Sequence, residues 1–190
     1  FGLLIWIAPI LALIITLESK GPVFFVQKRT GFDNNEFTCF KFRSMALNPT
    51  SDLKQAGKND MRVTQIGKFL RKTSIDELPQ FYNVLFGNMS VVGPRPHMIK
   101  HTDEYANRVD KYMLRHFVKP GITGLAQVRG YRGEIEKHSD IQNRIKFDIF
   151  YIENWSFFLD IKIIIQTILL GMSGDEKAYE TRIDCSKNKN

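Results

Sequence analysis

Seventeen consecutive uncharged residues, 1–17 (FGLLIWIAPILALIITL), with a proline at position 9, constrain this chain more than any other feature. As a straight helix the run would be about 26 Å long at ~1.5 Å per residue, slightly short of the ~30 Å hydrocarbon core of a bilayer. Pro9 deletes a backbone donor and clashes with the preceding turn. A kinked, re-entrant helix that enters and leaves on one face is therefore as reasonable as the end of a membrane span. A buried core helix and a signal peptide are the alternative readings, the latter weakened because no small-residue cleavage site follows. The first residue is Phe1 and the opening is already apolar, which predicts that the chain is the end of a longer protein.

The length of 190 residues suits one compact domain. A net charge of +7 favours a polyanionic partner, whether nucleic acid, phosphorylated substrate or anionic lipid. Cys39 and Cys185 are far apart and lack a CxxC partner, so a reducing cytoplasmic setting is expected rather than a disulfide framework.

Local patterns predict an α+β, mainly helical fold with short strands and amphipathic surface helices. Pro22 to Val26 reads as a strand and Lys28 to Gly31 as a turn. Phe37 to Phe42 reads as a second strand with Phe37, Cys39 and Lys41 on one face. The polar stretch Asn48 to Asp60 reads as a mobile loop. Ile66 to Thr73 is a basic helix, and Leu78, Phe81, Tyr82 and Leu85 give the next helix its apolar stripe, closed by Gly87. Gly93-Pro94-Arg95-Pro96 is a rigid loop, Thr102 to Phe117 a helix, and Lys119 to Gly124 a tight turn. The last long element, about Asn143 to Met172, breaks near Asn154-Trp155-Ser156. Beyond the break, Phe157, Phe158, Ile161, Ile164, Ile165 and Ile168 form a face suited equally to a membrane surface or to a core.

Asp76-Glu77 is the pair most able to carry chemistry. Locally, Ser74-Ile75-Asp76-Glu77 reads as a capping box. Pro79 would then stand inside the helix, so the helix instead starts near Pro79 on the competing reading, with both carboxylates at its mouth, suited to phosphate and a metal. Phosphate chemistry needs cations, and several are close in sequence. Arg71 and Lys72 precede the pair, Arg95 is held between two prolines, and Lys41 and Arg43 alternate with apolar residues as on a strand facing a basic cleft. His97 and His101 have i, i+4 spacing but no third ligand, so a metal site there is not expected.

Read together, these segments resemble the bacterial sugar transferase family, the monotopic polyprenyl-phosphate phosphoglycosyl transferases. The likeness runs through ESKGPVFF (Glu18 to Phe25), QKRTG, KFRSM, the long stretch from Asp60 to Pro96, KPGITGLAQVRGYRGE (Lys119 to Glu134) and YIENWSFFLDIKIIIQTI (Tyr151 to Ile168). The resemblance implies that Asp76 attacks the sugar-linked phosphate of a UDP-sugar, expels UMP and forms an aspartyl phosphosugar, which undecaprenyl phosphate then accepts. It implies that Glu77 holds Mg²⁺ and that Lys41, Arg71 and Arg95 contact phosphate, with Arg43, close to Lys41 in the same basic segment, a further phosphate-binding candidate. Pro9 matches the family's helix break, although Ala8 stands where serine often precedes it, and Asn88 stands where Asp is usual. The segments RGYRGEIE and ENWSFFLDIKIIIQTI are most similar to members that load glucose-1-phosphate onto undecaprenyl phosphate for exopolysaccharide or capsule assembly.

The expected organisation is a membrane helix over 1–20, a catalytic domain over 21–175 and a polar tail over 176–190. The domain would work on the cytoplasmic face of the bacterial inner membrane, with the bilayer as partner and without nucleic acid; nothing in the sequence sets an oligomeric state. Another UDP-hexose donor, such as galactose or an N-acetylated sugar, is the alternative within this chemistry, and a non-catalytic module binding anionic lipid is the alternative outside it.

Overall fold

The structure, a computed structural model, describes residues 2–47, 60–133, 135 and 137–173. The expected loop over 48–59 and tail over 176–190 lie outside them. Helix α1 (Gly2–Glu18) leads into a hairpin of β1 (Phe24–Thr30) and β2 (Glu36–Phe42), antiparallel with Phe24 opposite Phe42 and Thr30 opposite Glu36. Next come α2 (Gln65–Thr73), α3 (Gln80–Leu85), β3 (Ser90–Val92) and α4 (Ile99–Ala106). Strand β4 (Gly121–Thr123), α5 (Leu125–Val128), α6 (His138–Glu153) and α7 (Phe157–Ser173) complete the order.

The expectation of a small membrane-associated domain with a kinked or re-entrant N-terminal helix, broken at Pro9, is corrected. Helix α1 runs through Pro9 as one helix of 17 residues, and no helix among the described residues is long and apolar enough to cross a membrane. The apolar run misleads because part of it serves a protein core: Leu11 and Ile15 pack with Phe42 and Leu70, and Ala8 and Ile7 lie against the same cluster. Leu70 is wholly buried, and burying a side chain of that size contributes about 1.5–3 kcal/mol.

Strand β1 runs on to Thr30, so the turn of the hairpin is a 3-10 turn at Phe32–Asn34 rather than Lys28 to Gly31. Asp33 and Asn34 both adopt positive φ there, which short polar residues tolerate best. Strand β2 has the predicted inward face: Phe37 and Cys39 are buried and pack with Met89, Val84 and Ile122. The expected tight turn at Lys119 to Gly124 contains β4, which pairs in parallel with β3 (Ser90 opposite Gly121, Val92 opposite Thr123). Glycine is required here by close approach, since a Cβ at Gly121 would overlap the Gly93 backbone. No short-range sequence signal announces a pair of three-residue strands thirty residues apart.

The single helix expected over Thr102 to Phe117 is instead α4 followed by a 3-10 turn at Tyr112–Phe117, because Lys111 turns left-handed at φ 62°. The break at 154–156 falls where expected, between α6 and α7. Among the described side chains of α7 the buried one is Ile163, packed with Val92, Leu125 and Tyr151. Phe157, Phe158, Ile161, Ile165 and Ile168, from the predicted apolar face, are exposed.

Candidate active site

The turn bearing the carboxylates is built by three local events. Helix α2 starts on Thr64, whose hydroxyl accepts from Gly67 N, and ends as Ser74 turns left-handed at φ 59°. A 3-10 turn over Ile75–Glu77 follows, with Glu77 N donating to Ser74 O (3.1 Å), and α3 then begins after Pro79. Of the two readings of Ser74-Ile75-Asp76-Glu77, the start near Pro79 is the observed one; the Ser74 side chain makes no capping bond among the described residues. Tertiary contacts hold the turn in place. Asn83 on α3 accepts from Phe40 N (3.1 Å) and donates to Thr38 O (2.6 Å), docking α3 on β2. Gly67 lets α2 lie against the Ser44 carbonyl, where a Cβ would collide.

Both carboxylates are buried, Asp76 at 7% and Glu77 at 5% exposure, and their surroundings differ. Glu77 Oε1 lies 2.8 Å from Lys41 Nζ and 2.5 Å from Arg95 Nη2, while Oε2 lies 3.3 Å from Arg95 Nη1 and 3.4 Å from Arg132 Nη2. Asp76 Oδ1 has no hydrogen-bond partner among the described residues. Burial opposes charge on Glu77, but Arg95, Lys41 and Arg132 outweigh it and hold its carboxyl well below the usual range. Burial and the neighbouring Glu77 push Asp76 up, against a smaller pull from Lys41, Arg132 and Arg71. Two adjacent acids with pKa values driven apart mark a division of labour. Asp76 offers an uncommitted oxygen beside the cations around Glu77.

Of the candidate site residues, the structure brings Lys41 and Arg95 onto Glu77, with Asp76 adjacent in the same turn. Arg71 stands at their edge: its Nε donates to Ser44 Oγ (3.0 Å), and its charge is felt by Asp76. Arg43 is turned elsewhere. Its guanidinium donates to Lys20 O (2.6 Å), Ser19 O (2.6 Å) and Ile15 O (3.3 Å), completing the C-terminal end of α1. Pro9 lies within α1, and His97 is buried with its Nδ1 2.7 Å from both Tyr112 Oη and Arg115 Nη1. Arg132 is the site residue that reasoning on single residues missed. Its only signal was its place in the GYRG motif, because an arginine 55 positions from its partner carries no local periodicity.

The site pairs an uncommitted buried carboxylate with one ringed by cations. The family model for bacterial sugar transferases matches residues 1–174, and the chain belongs to that family. It is 54% identical over 173 residues to the UDP-glucose:undecaprenyl-phosphate glucose-1-phosphate transferase of Klebsiella pneumoniae, a match covering 89% of this chain and 37% of that protein. The protein of the same description from Escherichia coli (strain K12) is 49% identical over 173 residues, with the same coverage. The UDP-N-acetylgalactosamine-undecaprenyl-phosphate N-acetylgalactosaminephosphotransferase of Aeromonas hydrophila is 46% identical over 165 residues, covering 86% of this chain and 38% of that one. The chain therefore spans less than two fifths of the length of these three relatives.

Proposed function

We propose that this chain carries the catalytic domain of an enzyme that transfers a sugar-1-phosphate, with glucose-1-phosphate the leading assignment, from a UDP-sugar to undecaprenyl phosphate. The observation that carries this reading is the buried, unpartnered Asp76 Oδ1 next to Glu77 and its ring of Lys41, Arg95 and Arg132. The names of relatives that cover most of this chain support the same donor and acceptor classes, and the N-acetylgalactosamine enzyme keeps a second hexose in play.

In this mechanism an Asp76 carboxylate oxygen attacks the phosphorus bonded to the sugar-linked oxygen. The new bond joins Asp76 to that phosphorus, the bond from phosphorus to the bridging oxygen breaks, and UMP leaves with the bridging oxygen. An oxygen of undecaprenyl phosphate then attacks the same phosphorus and restores the Asp76 carboxylate. Neither step needs a proton, since both nucleophiles are anions and UMP leaves as one. Lys41, Arg95 and Arg132 hold the developing charge; preorganised donors of this kind each contribute about 3–4 kcal/mol to the transition state.

Mg²⁺ in phosphate enzymes is usually held by one or two carboxylates and the substrate's own phosphate oxygens, and Glu77 could join such a shell only once Lys41, Arg95 and Arg132 have moved onto the diphosphate. Among the described residues no group of three or more His, Cys, Asp or Glu could hold a metal alone, so a diphosphate would have to complete the shell. Glu77 would hold the ion, with Asp76 Oδ1 uncommitted beside it. When bound, the ion neutralises charge on the diphosphate and on departing UMP.

The acceptor is a membrane lipid, so the reaction belongs at the cytoplasmic face of the bacterial inner membrane. The exposed Phe157, Phe158, Ile161 and Ile165 of α7 support contact with a bilayer surface. The decisive experiment follows UMP release from a panel of UDP-sugars with Mg²⁺ and traps the phosphosugar on the protein. Asp76→Asn is expected to abolish both signals; full turnover in that variant sinks the nucleophile assignment. A lipid-binding module would release no UMP at all.

A further inference from the structure

The backbone that presents Arg95 to Glu77 is held by groups from distant elements. Pro94 and Pro96 flank Arg95: each ring fixes its own φ, and Pro96 holds Arg95 in the extended region. The carbonyl of Arg95 accepts from Arg115 Nη2 at 2.6 Å, and the next carbonyl, of Pro96, accepts from Arg29 Nη1 at 3.1 Å. On the other side of the loop, Gly121 N donates to Pro94 O (2.9 Å). Holding the Arg95 and Pro96 carbonyls fixes where the Arg95 Cα stands, the point from which its side chain reaches Glu77.

Arg115 is itself anchored. Its Nη2 lies 2.9 Å from Asp148 Oδ2 on α6, with both side chains 2% exposed, and its Nη1 donates to His97 Nδ1 at 2.7 Å. A buried ion pair offers little net stability over apolar residues of similar volume, so stability alone does not explain a charge pair in this place. What it does offer is a fixed fork: one guanidinium edge joins α6 to the backbone of the loop that presents Arg95.

We infer that Arg115, oriented by Asp148, is a positioning residue that sets Arg95 against Glu77 and so organises the cation ring for a diphosphate. The inference rests on the proposed transferase reading for its consequence in donor binding, but not for the geometry it asserts. Arg115→Lys keeps a cation for Asp148 and cannot reproduce the fork to His97 and to the Arg95 carbonyl together.

Two readouts test it on the full chain. The first needs no substrate: the arginine Nε–H resonance that vanishes in Arg95→Lys reports the Arg95 environment, and it is expected to shift or broaden in Arg115→Lys. The second is affinity for UDP, expected to weaken about tenfold, the scale of one charge-assisted hydrogen bond. In a double-mutant cycle, adding Arg115→Lys to Arg95→Ala is expected to cost no more than Arg95→Ala alone. An unchanged Arg95 resonance, or fully additive losses in UDP affinity, overturns the inference and leaves Arg115 a packing residue. If the wild type binds no UDP and releases no UMP while the resonance shifts as expected, the transferase reading fails and the positioning stands. Should Arg115→Lys not fold, Asp148→Asn is read by the same resonance, which must move for the inference to hold.

Discussion

Arg95 Nη2 sits 2.5 Å from Glu77 Oε1, across 18 residues of sequence, and Lys41 Nζ approaches the same oxygen at 2.8 Å. The carboxylate that the mechanism gives to the metal is thus already neutralised by the cations it gives to the diphosphate. A dication meeting Glu77 in this state meets Arg95, Lys41 and Arg132 as well. A diphosphate that draws those cations onto its own oxygens frees Glu77.

Metal and nucleotide are therefore expected to bind cooperatively. Mn²⁺ titrated into the protein and followed by its paramagnetic signal should bind at least about tenfold more tightly with UDP present, a coupling of roughly 1.4 kcal/mol. Equal Mn²⁺ affinity with and without UDP would count against the exchange of partners at Glu77.

Arg132 is expected to matter for the reaction and little for the fold. Its side chain is 27% exposed and its contact with Glu77 is the longest of the ring at 3.4 Å. Replacing it with Gln should slow UMP release by about 100-fold, at the low end for a preorganised charge-stabilising donor. The melting temperature should stay within a few degrees of the wild type, a shift of about 1 kcal/mol or less.

The opposite pattern is expected for Arg43. The carbonyls of Ser19 and Lys20, just past α1, depend on its guanidinium, while Ile15 O shares it with Ser19 N, so Arg43→Met leaves two acceptors without that donor and should cost about 2–4 kcal/mol in denaturant unfolding. The KM for the donor, measured on the folded fraction, should not change. A raised KM with unchanged stability would return Arg43 to the phosphate site.

Acid should weaken the fold through His97 and His116. Burial, with Arg115 beside it, holds His116 down at about 4, and the same causes with Arg144 hold His97 well below its usual value. An unfolded histidine takes its proton near ~6.5, so between that pH and about 4 the unfolded chain binds more protons than the native one. The stability these residues contribute is complete above ~6.5 and is lost as pH falls towards 4. His116→Phe keeps the ring against Tyr112 (centroids 5.7 Å apart) without a titrating group. Urea unfolding at neutral and mildly acidic pH should therefore give a shallower pH dependence in the variant than in the wild type.

Much of the site was legible because its parts were local. Asp76-Glu77 are adjacent, Arg95 is marked by its two prolines, and Lys41 follows from strand alternation with Cys39. Arg132 was not legible as a site residue, since it becomes one only when the loop after α5 folds back on Glu77. Arg43 was misplaced for a related reason. It lies two residues beyond Lys41 in sequence, but past the end of β2, where the chain turns its side chain to α1 instead of the carboxylates.

The sequence by itself determined the carboxylate pair, the cations beside it in the chain, the helix break at 154–156 and the family to which the chain belongs, because each is written in short-range order. Only the tertiary structure decided which carboxylate is neutralised. The local sequence does not say which of Glu77 and Asp76 is paired, and they part because burial removes solvent from both while Lys41, Arg95 and Arg132, drawn from three separate segments, converge on one of them. Tertiary packing likewise decided the place of α1, whose apolar residues were read as facing lipid, since Leu11 and Ile15 find Phe42 and Leu70 within the protein.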